Sequence, residues 1–141
     1  MTRKLGIADY PLAETQPENV IGARGKALPD VTLERVIAGE VTMEDLRITP
    51  QALRDQAEIA RAANRATLAQ NFERAAELVN VPQDFIMATY ELLRPGRAKS
   101  KDALLDTARV LRETYHAPLM AAYVAEAAET YERRGLFTYR F

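Results

Sequence analysis

The chain has 141 residues, 48% of them hydrophobic, and its 19 basic and 20 acidic residues leave a net charge of -1. That length suits one domain with at most a short tail, and such a globule buries about 68% of its unfolded surface, enough for a core. The absence of cysteine excludes disulfides, thiolate nucleophiles, iron–sulfur clusters and Cys-type zinc sites, and the balanced charge lacks the basic field a nucleic-acid binder needs.

Twenty-four alanines against 6 glycines favour closely packed helices. The expected fold is all-α: a small helical domain of about four to five helices, with one long helix and an extended N-terminal arm. Residues 1–29 form the arm, because Pro11, Pro17 and Pro29 with Gly6, Gly22 and Gly25 interrupt any helical period. The arm still carries Tyr10, Leu12, Val20 and Ile21, so it should lie on a surface, its own or a partner's.

Residues 30–135 form the helical domain. A short helix follows Asp30 or Thr32 as cap and stops at Gly39, with Leu33, Val36 and Ile37 on its apolar side. Met43 and Leu46 are expected anchors in the next turn. Thr49-Pro50 is a strong helix start, and no Gly or Pro interrupts Gln51 to Val81. Leu53, Ala57, Ala60, Asn64, Leu68, Phe72, Ala75 and Val79 keep one phase, which predicts a single long helix; a break near Asn64 is the alternative. Arg61, Asn64, Arg65 and Gln70 give it a polar waist that should protrude or be covered by another chain.

Val81-Pro82 restarts the pattern, with Phe85, Ile86, Thr89, Tyr90, Leu92 and Leu93 as an apolar face before Pro95-Gly96. Arg94, Arg97, Lys99 and Lys101 bracket a basic connector. Ser100 caps a helix with Leu104, Ala108, Leu111 and Tyr115 on its face. Pro118 opens the last helix, with Leu119, Met120, Tyr123, Val124, Ala127 and Tyr131 at helical spacing, and Gly135 ends it. Residues 136–141 are an aromatic tail that needs a groove or folds back on its own bundle.

Candidates for chemistry are few. Glu113-Thr-Tyr-His116 has the Glu-x-x-His spacing of a di-iron bundle, but the second copy such a site requires is impossible with one histidine. His116 is better placed to serve a helix end. Ser100, the lone serine, is occupied as a cap. Glu129 and Arg133 are spaced for a helix-surface pair. There is no Gly-rich phosphate motif. An arm, a polar waist and an aromatic tail suit a subunit that clamps to something larger, with Tyr10, Leu12, Arg61 and Arg65 as its partner-contact residues.

The same residues resemble a known family, the small (gamma) subunit of adenosylcobalamin-dependent diol and glycerol dehydratases. The likeness rests on Asp9-Tyr10-Pro11-Leu12-Ala13, Thr32-Leu33-Glu34, Gly39-Glu40-Val41, Asp45, Arg47-Ile48, Asn71-Phe72, Arg74-Ala75-Ala76-Glu77-Leu78, Leu92-Leu93-Arg94-Pro95 and His116-Ala117. Their order and spacing extend over roughly residues 9–134. The resemblance implies a dimer of heterotrimers with large (alpha) and medium (beta) subunits, converting 1,2-propanediol or glycerol to an aldehyde and water by a radical route. It implies adenosylcobalamin bound by those larger subunits, and no catalytic, cofactor-binding or metal-ligating residue in this chain. A helical adaptor without an enzymatic role is the alternative.

No stretch approaches 18 apolar residues, so no membrane span is expected, and the chain is expected in the cytoplasm. Met1 to Ala8 is too short for the amphipathic extension of family members sorted into microcompartments, so targeting through this chain is not indicated. The aromatic end departs from the basic ends of the family, and contacts there do not carry over.

Overall fold

A computed structural model describes residues 3–138. The chain forms two compact units, residues 1–79 and 80–141. Helices account for its regular structure, and the described residues contain no strand beyond one isolated antiparallel bridge between Ile21 and Ala27. Single turns come first: α1 (Leu12–Thr15), α2 (Leu33–Ile37) and α3 (Met43–Leu46). Five longer helices follow: α4 (Pro50–Ala62), α5 (Ala66–Leu78), α6 (Gln83–Leu93), α7 (Lys101–Glu113) and α8 (Pro118–Arg133). The all-α expectation holds.

The first unit is built on a helical hairpin. Thr49 caps α4 by accepting the Ala52 N–H, and Pro50 occupies the first helical position. α4 and α5 pack together through Ala57, Ala60 and Ala69, with Leu68 and Phe72 against them. The expected single long helix is therefore two helices, broken at Asn64. Asn64 is left-handed, with φ +61. Its N–H reaches the Arg61 carbonyl at 3.1 Å, and the Arg65 N–H reaches the Ala60 carbonyl at 2.9 Å. That paired closure satisfies carbonyls a helix end leaves open, and asparagine tolerates the conformation it requires. The polar waist is thus the tip of a hairpin, which is why Arg61, Asn64, Arg65 and Gln70 are all exposed. The same closure ends α2 at Gly39 and α8 at Gly135, where the sequence marks it with glycine.

The second unit packs α7 against α8, with α6 beside α7. Leu104, Ala108 and Leu111 on α7 and Ala121, Val124 and Ala128 on α8 are buried. Ser100 caps α7 through the Ala103 N–H. On α8 the buried stripe runs through Ala121, Val124 and Ala128, whereas Leu119 and Tyr123 are exposed. On α6 Tyr90 is likewise exposed, and Thr89 is the buried residue, its hydroxyl donating to the Phe85 carbonyl. Phe85 meets Tyr115 at 5.0 Å between ring centres, and the Tyr131 hydroxyl donates to the Leu93 carbonyl. His116 is left-handed, with φ +53, and turns the chain so that the Ala117 N–H reaches the Leu111 carbonyl.

Glu129 does not pair with Arg133 as its spacing suggested. It meets Lys101 at 2.8 Å, and Glu132 meets the same ammonium at 2.7 Å, tying the start of α7 to the end of α8. Phe137 packs on Tyr131 with ring centres 6.4 Å apart, and the rest of the aromatic tail, residues 139–141, lies outside the described residues.

Three substitutions at two positions separate core from turn. Leu104, with no exposed surface, should cost about 2–5 kcal/mol as Leu104→Ala. Asn64→Ala should cost about 1 kcal/mol at its left-handed position, while Asn64→Gly stays within a few tenths. Urea unfolding followed by circular dichroism measures all three.

Candidate functional site

Residues 3–48 fold almost without an apolar core. Only Asp9, Leu12, Val41 and Asp45 are buried there, and two of those four are carboxylates. Polar anchors therefore set the path of this segment, a succession of tight turns at 7–9, 12–15, 17–19 and 28–30. A buried carboxylate survives only if its oxygens are met by donors, and both are.

Asp9 accepts the Gly6 N–H at 2.8 Å and the Gln16 amide at 2.9 Å, and it pairs with Arg3. Its backbone carbonyl accepts the Thr15 hydroxyl at 2.7 Å. The Leu5 N–H donates to Glu58 of α4 at 2.9 Å, so the start of the arm is held to the hairpin. Asp45 is the second anchor, and its side chain has no exposed surface. It accepts the Thr42 N–H at 2.8 Å, the reciprocal bond of a capping box at the start of α3. It also pairs with Arg24 at 3.0 Å and Lys26 at 3.4 Å. The Gly6 N–H holds the Asp9 carboxyl below its usual range, and the Thr42 N–H does the same for Asp45; burial opposes both effects, and the neighbouring cations add to them.

Loop 20–28 is thereby clamped onto α3. The clamp needs Gly22: a Cβ there would lie 2.7 Å from the Asp45 carbonyl oxygen, closer than any side chain tolerates. The Gly22 N–H bonds the Lys26 carbonyl at 2.8 Å and the Leu28 N–H bonds the Val20 carbonyl at 2.9 Å, closing the loop on itself.

With its path fixed by polar groups, the segment leaves its apolar side chains outside. Ten of the fourteen large hydrophobic side chains exposed among the described residues lie between Ile7 and Ile48. So many exposed apolar side chains on one segment suit a surface made for another chain. Met43 and Leu46, expected as anchors, are 76% and 59% exposed; Val41 and Asp45 hold this turn instead. Leu33, Val36 and Ile37 share one side of α2 as expected, and that side is exposed. Between the arm and one side of α4 runs a groove made of three adjoining hollows of about 250, 310 and 530 Å³. Val20 lines all three.

The residues expected to meet a partner lie in different settings. Tyr10 is exposed, whereas Leu12 is buried within its own unit and lines the groove. Arg61 and Arg65 are both exposed at the hairpin tip, and Arg61 bonds Glu73 of α5 at 2.9 Å. Asp9 and Asp45 escaped the sequence reading as organising groups. Asp45 carries a signal for its capping role, since it follows Thr42 by three residues. Among the described residues no group of His, Asp or Glu is arranged to hold a metal ion, and no helix is long and apolar enough to cross a membrane. His116 sits exposed on its turn in the second unit, and none of the three hollows includes it.

A segment shaped by buried carboxylates, with apolar side chains turned outward, is what a subunit presents. The family model described as dehydratase small subunit matches residues 5–138. The chain belongs to the dehydratase small-subunit family. It is 52% identical over 128 residues to the propanediol dehydratase small subunit of Citrobacter freundii, covering 91% of this chain and 74% of that protein. It is 50% identical over 133 residues to the propanediol dehydratase small subunit of Salmonella typhimurium, covering 94% and 76%. As a small subunit of this family, the chain has other dehydratase subunits as partners.

The two anchors give the first unit a defined acid response. A carboxylate whose folded pKa is depressed stabilises the fold above its unfolded value, near 3.8, and that stability is lost as pH falls through the lower folded value. Amide protection in residues 20–28, measured against the unstructured exchange rate at each pH, should therefore hold from neutral pH to about pH 5 and fall below about pH 4. Asp45→Asn should speed exchange there about tenfold at neutral pH and flatten the acid response, while exchange in α7 and α8 is unchanged.

Proposed function

We propose that this chain is the non-catalytic small subunit of a heteromeric, adenosylcobalamin-dependent diol dehydratase that converts 1,2-propanediol or glycerol to the aldehyde and water. The observation that carries the reading is about 50% identity, over more than nine-tenths of the chain, to two proteins named propanediol dehydratase small subunit. Its partners are the large and medium subunits, in a dimer of heterotrimers. The apolar side chains of residues 7–48 support the need for such partners, since in a free chain they face water.

Adenosylcobalamin supplies the radical chemistry of this reaction, and the protein around it orients the substrate and shields the intermediates. The residues of this chain do not fit that cofactor. The lone imidazole stands exposed on a turn, and the largest of the three hollows described, about 530 Å³, is lined by Arg3, Asp55 and Glu58 among others rather than by a platform for a corrin ring. In this reading cofactor and substrate belong to the large and medium subunits. This chain contributes surface: Tyr10 on the arm and Arg61 and Arg65 at the hairpin tip, with Leu12 fixing the arm from beneath. The assembly works in the cytoplasm.

Co-expression of the tagged chain with large and medium dehydratase subunits tests the assignment. The expected result is one assembly holding all three chains, which forms aldehyde from 1,2-propanediol or glycerol only when adenosylcobalamin is added. A tagged chain recovered alone, or an assembly with no cobalamin-dependent turnover, would contradict it.

A further inference from the structure

The groove in the first unit has two chemically different ends. At one end, Ile21 and Leu28 of the clamped loop face Leu46 and Ile48 around a hollow of about 250 Å³. All four side chains are exposed, between 39% and 59%. At the other end, past Val20, Asp55 and Glu58 of α4 line the hollow of about 530 Å³. Among the described residues neither carboxylate is in an ion pair. Glu58 accepts only the Leu5 N–H and Asp55 only the Gln51 amide. Arg3 also lines this end, but its guanidinium is committed to Asp9.

We propose that this groove is the docking site for a segment of a larger dehydratase subunit that sets apolar side chains among Ile21, Leu28, Leu46 and Ile48 and points a basic side chain at Asp55 and Glu58. The proposal rests on the subunit assignment above and adds to it where the partner binds and what it must carry. An apolar end with room for side chains, and an end where Asp55 and Glu58 make no ion pair among the described residues, together call for an occupant of that order. The groove is formed before binding, because Asp45 and Gly22 fix loop 20–28 against α3 with no help from the partner. Docking then avoids the cost of ordering this loop.

The test uses the co-expressed assembly. Leu46→Asp and Ile48→Asp should each lower the yield of larger subunits captured on the tagged chain at least about tenfold, since each places a charge in an apolar contact. Asp55→Lys should lower it severalfold. Met87→Asp, on the exposed side of α6 in the second unit, should leave capture unchanged. A photo-crosslinking amino acid at position 46 reports contact independently of how well the Asp variants fold, and it should label a larger subunit where the same group at position 87 does not. Wild-type capture by both Leu46→Asp and Ile48→Asp, or crosslinking from position 46 to a second copy of this chain, would overturn the docking site while leaving the subunit assignment intact. A wild-type chain that captures no larger subunit would overturn both.

Discussion

The first unit depends on one buried carboxylate. Asp45 has no exposed side-chain surface, and it gathers the Thr42 N–H, Arg24 and Lys26 around it. These contacts start α3, close loop 20–28 over it and align Ile21 and Leu28 opposite Leu46 and Ile48. A hydrophobic residue at position 45 could fill the same space but would leave the Thr42 N–H and two cations without their shared acceptor. The arrangement fixes a shape while sparing the apolar side chains for other use. Asp9 repeats the device nearer the N-terminus, where Gly6, Gln16 and Arg3 converge on it.

The helices use a different economy. The hairpin of α4 and α5 meets through alanines, and α7 and α8 meet through leucines on one side and Ala121, Val124 and Ala128 on the other. Small residues let helix backbones approach closely, yet each buries little area, roughly in proportion to its apolar surface. Such cores are thin. Thin cores and exposed apolar side chains between residues 7 and 48 agree with membership of a small-subunit family.

Much of this fold is written in local signals. Thr49-Pro50, Ser100 and Pro118 mark helix starts, Gly39 and Gly135 mark ends, and the structure uses each of them. The break at Asn64 is the same backbone closure made by a residue that also suits a helix interior, so unbroken apolar phase across it reads as one helix. The arm was harder. Leu46 and Met43 have the pattern of buried anchors, and nothing local tells that Asp45 between them would take the interior place. That outcome depends on Arg24 and Lys26, some twenty residues away, and on the close approach at Gly22. Lys101 with Glu129 and Glu132 is another long-range choice that helix spacing could not show. The family was legible from ordered short matches along the chain, whereas the groove required the folded arm.

A cryo-electron microscopy structure of the co-purified assembly tests the central claim most directly. The account predicts Ile21, Leu46 and Ile48 covered by a larger dehydratase subunit, a basic side chain of that subunit beside Asp55, and the Asp45 anchor as it is in the free chain. A groove that faces solvent, with the larger subunits seated elsewhere, would contradict it.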